Sequence, residues 1–127
     1  MLNHVSIGVR DLPRAKRFYD AALKPLGYKC LSESPGSLGY GDKAVVLWIS
    51  PTDRPVAADS ASGLHFCFDA PDRKSVDAFY KAAIAAGGRD NGAPGLRPHY
   101  HKDYYGAFVL DPDGHNIEAV CHKPESH

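Results

Sequence analysis

Cysteine is scarce here, and its scarcity excludes one class of protein. Three cysteines in 127 residues, at positions 30, 67 and 121, are odd in number and far apart. They form no disulfide framework and read as reduced thiols of a cytoplasmic protein. Cys67 and Cys121 fall in apolar strand patterns and are expected as packing; no activating partner marks a nucleophile. Excess charge is also missing: Lys plus Arg and Asp plus Glu are 15 each. No basic run with interleaved aromatics exists, so nothing recruits nucleic acid or an anionic membrane. No apolar stretch reaches the length of a membrane span. The opening Met1-Leu2-Asn3-His4 has neither the charged nor the apolar region of a signal peptide.

What remains is ordinary globular material, 43% hydrophobic and 24% charged, enough for one domain with a real core. His4 to Val9 alternates: Val5, Ile7 and Val9 point one way, His4, Ser6 and Gly8 the other. That is a strand with one apolar face. Asp11 is placed to cap a helix and Pro13 suits its first turn. Ala15, Phe18, Tyr19, Ala22, Leu23 and Leu26 then recur at helical spacing, and Pro25 and Gly27 end the element.

A shift of 61 positions repeats the pattern without a gap. His4 maps onto His65, Val5 onto Phe66, Ile7 onto Phe68 and Asp11 onto Asp72. The stripe maps onto Val76, Phe79, Tyr80, Ala83, Ile84 and Gly87. A period that holds both strand and helix is an internal duplication. Further strands are expected at 28–32, 37–41 and 44–50 in the first half. In the second they are expected near Arg89, at 104–110 and at 116–122, with a Gly/Pro-rich loop at 91–98 and a turn at 111–114. The expected organisation is one domain: a module over about 1–50, a polar linker over about 51–62, a second module over about 63–123, and a loose tail. The fold class is α+β, two βαβββ modules whose mixed sheets curl into a shared cup with helices on the outside.

Strand parity then suggests a site. The apolar face of each first strand must cover its helix, so His4, Ser6, His65 and Cys67 face away from the helices. On the last strand Ile117 and Ala119 pack under a helix while Asn116 and Glu118 face the other way. His4, His65 and Glu118 are expected to project into one concave face. Two imidazoles and a carboxylate there can hold a divalent metal (Fe, Mn, Zn, Ni or Co) and leave positions open for substrate. The stretch Arg97 to Tyr105 mixes cation, imidazole and phenol. His99 and Tyr104 are candidate catalytic groups; Arg97 and His101, with Trp48 and Tyr40 as apolar wall, are candidate substrate contacts. His115, in a turn, is expected at the surface, and His122 near the rim of the cup.

Two stretches carry a resemblance. His4-Val5-Ser6-Ile7-Gly8-Val9-Arg10-Asp11-Leu12 with Phe18-Tyr19 resembles the opening of the vicinal oxygen chelate superfamily. Tyr105-Gly106-Ala107-Phe108-Val109-Leu110-Asp111-Pro112-Asp113-Gly114-His115-Asn116-Ile117-Glu118 resembles its closing hairpin. The resemblance implies paired βαβββ modules around a divalent metal, with His4, His65 and Glu118 at ligand positions. It implies a small-molecule substrate and a homodimer, whose cup lies within one chain or between two. Glyoxalase I itself adds a glutamate on the fourth strand. Residues 44–50 carry no carboxylate, which directs the reading to the three-ligand pattern of dioxygenases and fosfomycin-resistance enzymes. The expected function is a metal-dependent lyase, isomerase or dioxygenase acting on a small oxygenated substrate. The alternative is a metal-free, bleomycin-resistance-like binding protein.

Overall fold

The computed structural model describes residues 1–56 and 59–124, with no description of the Ser60 side chain. Parts of the expected linker and the end of the tail lie outside the described residues. In chain order the elements are β1 (Val5–Val9), α1 (Leu12–Leu23), a 3-10 turn (Lys24–Leu26), β2 (Lys29–Ser34), β3 (Ser37–Gly41) and β4 (Val45–Pro51). After a short 3-10 turn (Ser60–Ser62) follow β5 (Phe66–Asp69), α2 (Arg73–Ala85), β6 (Arg89–Leu96), β7 (Tyr105–Leu110) and β8 (Asn116–Cys121).

The duplication is visible in the caps. The Asp11 side chain accepts from Arg14 N, and the Asp72 side chain accepts from Ser75 N, each at the start of its helix. Such a cap contributes about 1 kcal/mol. Pro13 lies in the first turn of α1, where its missing N–H costs nothing. Gly27, at φ 88°, takes the left-handed conformation that ends the 3-10 turn after α1.

Each module is a four-stranded mixed sheet, ordered β1-β4-β3-β2 and β5-β8-β7-β6. The first and fourth strands of each module pair in parallel, Val5 beside Leu47 and Cys67 beside Glu118. The other pairs are antiparallel. The sheets remain separate and do not close on one another. α1 packs against α2, and one continuous core spans both halves. Phe18, Tyr19, Val76 and Phe79 are fully enclosed, and each large apolar side chain so buried contributes about 1.5–3 kcal/mol.

The expected stripe of α1 is buried at every position. In α2, Val76, Phe79 and Ala83 are buried, whereas Ile84 is exposed. The loop expected at 91–98 is instead largely strand, since β6 runs to Leu96. Pro94 is tolerated because β6 is an edge strand, and shifts in register beside Gly92 absorb the irregularity. Among the described residues no helix is long and apolar enough to cross a membrane.

Candidate metal centre

Glu118 occupies the middle of the second sheet, opposite Cys67 on β5 and Phe108 on β7. It is completely buried, an expensive place for a carboxylate unless its oxygens are engaged. One is: Oε2 accepts a short hydrogen bond from the Tyr104 hydroxyl. The other, Oε1, has no hydrogen-bond partner, yet it lies 3.0 Å from His65 Nε2. The two findings are compatible, because Oε1 lies off the in-plane direction of Nε2, so the two atoms are close without a hydrogen bond between them.

The tautomer of His65 explains this. Its Nδ1 is 3.2 Å from the Gly63 carbonyl oxygen. A carbonyl only accepts, so the tautomer that bonds it carries its hydrogen on Nδ1 and presents a lone pair at Nε2. Lone pairs on Nε2 and Oε1 then meet at 3.0 Å, a contact that requires a cation or an added proton. Histidines that bind metals have this arrangement, with the distal N–H held by a backbone carbonyl or other acceptor. His4 repeats it: its Nδ1 is 2.7 Å from Asn3 Oδ1, which leaves Nε2 free.

His4 does not join the pair within one chain. Among the described residues, no three His, Cys, Asp or Glu side chains converge to hold a metal. The physical reason is the packing of the modules. They meet through α1 and α2, so the helix-free faces that carry His4 and Glu118 are not brought together by that contact. Of the three expected ligands, the fold brings His65 and Glu118 together, a donor pair whose chemistry fits a divalent ion.

The other expected site residues divide into those near Glu118 and those elsewhere. Tyr104 touches it directly. Burial first, and then the bond to Glu118, push the Tyr104 phenol well up, so it remains a donor. The Tyr104 ring contacts Tyr100 at 5.0 Å and His122 at 5.1 Å, and Tyr100 in turn contacts His99 at 4.1 Å. His101 is 5.6 Å from His122, and its Nδ1 accepts from Asp103 N. A rim of imidazoles and phenols thus extends from Glu118. Cys67 is on the same face and is exposed, against the expectation of packing; burial of its sulfur and the Glu118 charge push its thiol well up.

Arg97 is engaged by backbone. Its guanidinium donates to the carbonyls of Gly95, Gly106 and Ala93 and covers the Phe108 ring at 5.3 Å. It clasps β6 to β7. Trp48 is half-buried and pairs in register with Ser6 and Gly39. Tyr40 is fully buried on the opposite, helix-facing side, where its hydroxyl donates to Asp20 Oδ1 at 2.7 Å. Its parity with Leu38 on β3 makes it core, not pocket wall.

His115 also departs from expectation, being 7% exposed. Its Nδ1 is 2.8 Å from Asp111 Oδ2, which also accepts from the Tyr19 hydroxyl at 2.6 Å. Burial opposes charge on His115, but the Asp111 carboxylate outweighs it and the imidazole titrates above its usual value. Burial would likewise raise Asp111, yet the bonds from His115 and Tyr19 hold it below the usual carboxylate value. Arg14 Nη2, 3.2 Å from Asp113 Oδ1, is a second tie between α1 and the β7–β8 turn. The four-residue step from Asp111 to His115 was the sequence signal for this cluster.

The profile of the Glyoxalase/Bleomycin resistance protein/Dioxygenase superfamily matches residues 1–119. A glyoxalase/bleomycin resistance protein from Albidiferax ferrireducens is similar over 92% of this chain and 95% of its own, with 33% identity and a TM-score of 0.81. A glyoxalase/bleomycin resistance protein/dioxygenase family enzyme from Burkholderia phytofirmans covers 94% of this chain and 96% of its own, at 22% identity and a TM-score of 0.71. The fosfomycin resistance protein FosX from Mesorhizobium loti covers 94% and 90%, at 18% identity and a TM-score of 0.70. The last two likenesses are of fold. No curated protein matches the chain.

Proposed function

The chain belongs to the glyoxalase/bleomycin resistance protein/dioxygenase superfamily, and we propose that it is a metal-dependent member, a lyase, isomerase or dioxygenase for a small oxygenated substrate. The observation that supports this is the meeting of His65 Nε2 and Glu118 Oε1 at 3.0 Å without a hydrogen bond. The third ligand is His4 of a second copy of the chain, since its own His4 does not reach the pair. A homodimer that sets the free face of one protomer's first sheet against that of its partner's second sheet would complete two equivalent sites. A divalent ion held there would polarise the vicinal oxygens of a substrate.

The chain's own residues supply the rest. His99 stands on the rim, linked through Tyr100 and Tyr104 to Glu118, and is the acid or base for a bound substrate. His101 and Trp48 contact the substrate's periphery.

A mixing experiment tests the arrangement. Purified His4→Ala and His65→Ala proteins should each retain little cobalt(II) after desalting. Unfolded and refolded together in equal amounts, they should retain about one ion per four chains, because half the dimers carry one intact site. Full metal retention by His4→Ala alone refutes the shared site. No retention by the unsubstituted protein refutes the metal reading and favours a metal-free binding protein.

A further inference from the structure

A carboxylate can bind a metal through one oxygen or two, and the choice fixes how many positions stay open. At Glu118 the two oxygens are treated differently. Oε2 is held by the Tyr104 hydroxyl, while Oε1 alone faces His65. Gly106, next to Tyr104 and Glu118, leaves room for this. A methyl group there would lie 3.1 Å from Glu118 Oε2, 3.2 Å from Tyr104 Cε1 and 3.3 Å from the Ala119 carbonyl oxygen, so any larger residue would crowd the contact.

We infer that Tyr104 is a positioning residue that keeps Glu118 a one-oxygen ligand, and so keeps a third position open beside the two that a chelating substrate takes. The inference rests on the metal reading above and deepens it. Two imidazoles and a one-oxygen carboxylate leave three adjacent positions on a six-coordinate ion. Two of these would take the vicinal oxygens of a substrate. A carboxylate bound through both oxygens would claim one of the three. Without its phenol partner, Glu118 keeps only the weak thiol donor of Cys67 beside it, and a metal ion compensates Oε2 more strongly. The Tyr104 ring, fixed between Tyr100 and His122, presents its hydroxyl from one direction, as an outer partner of a metal ligand must.

The test uses cobalt(II) and nitrocatechol, a coloured bidentate probe with vicinal oxygens. The unsubstituted protein, Tyr104→Phe and Gly106→Ala are loaded with cobalt(II). The visible absorption of the metal and the affinity for nitrocatechol are then measured, alongside melting of the metal-free proteins. Tyr104→Phe should still take up cobalt(II), show an altered metal absorption band, and bind nitrocatechol about tenfold more weakly. Gly106→Ala should move both in the same direction, and serves alone if Tyr104→Phe does not fold. An unchanged band and unchanged nitrocatechol affinity in a folded variant overturn the role of Tyr104 while the metal site stands. No cobalt uptake by the unsubstituted protein overturns both.

Discussion

Replacing Glu118 by Gln should stabilise the metal-free protein and abolish its response to metal. In the metal-free state the buried carboxylate leaves Oε1 without a hydrogen bond, against the lone pair of His65 Nε2. An amide resolves the conflict: its oxygen accepts from Tyr104 and its N–H2 donates to Nε2. An unsatisfied buried acceptor costs about 1–3 kcal/mol, so a gain of about 1.5 kcal/mol is expected. For 127 residues the unfolding entropy is about 0.27 kcal/mol/K, which converts that gain to a rise of about 6 °C in Tm. Metal at a hundred times its dissociation constant should stabilise the unsubstituted protein by about 2.7 kcal/mol, or about 10 °C, and the variant by nothing. Thermal melts with chelator and with cobalt(II) read all four values. A metal-free variant that melts several degrees lower would mean that an imidazolium–carboxylate pair already satisfies the site. His65 and Glu118 would then need no cation between them.

Three other substitutions test buried hydrogen bonds away from Glu118, one of them between the modules. Tyr19→Phe removes a 2.6 Å bond to a buried carboxylate and should cost about 2 kcal/mol, read as a fall of about 7 °C in Tm. Tyr40→Phe should cost less than half as much, because its partner Asp20 is 43% exposed and water replaces the lost donor. His115→Asn should change the pH dependence. The raised imidazole contributes stability that is fully present below its ordinary value of 6.5 and is lost as pH rises through the higher folded value. Asp111 works in the opposite sense, with its contribution present above 3.8 and lost as pH falls through its lower folded value. Resistance of the unsubstituted protein to urea should therefore weaken as pH rises from 6.5 through the higher folded value of His115, and that slope should flatten in His115→Asn.

What could be read from the residues was periodic. Alternation from Val5 to Val9 and from Phe66 to Phe68 assigned a face to each strand, and the buried side matches. Helical spacing located the buried residues of α1 apart from Leu12 at its start, and the two Asp caps followed from their place before each stripe. Features set by one specific contact were not legible. Glycine and proline at 92, 94 and 95 argue for a loop, but pairing with β7 draws them into an edge strand. Arg97 looks available until the carbonyls of the bulged strand it follows, and of Gly106 on β7, take its donors. His115 sits among turn residues, yet its ring folds back onto Asp111.

The arrangement of the two modules lay beyond the same kind of reading, for a definite reason. Period-two alternation says which side of a strand meets its helix; it does not say what the helix meets next. Here each helix meets its counterpart: α1 lies on α2, and Tyr19, Arg10 and Arg14 reach the turn at 111–113 of the other half. Those contacts bury the helices and leave both helix-free faces to solvent or to another chain. The duplicated histidines keep the same local design, an Nδ1 engaged by a nearby oxygen, although only His65 has a carboxylate beside its Nε2. The site proposed above, shared between two copies, would use such a residue: one with its ring oriented locally and its partners on another chain.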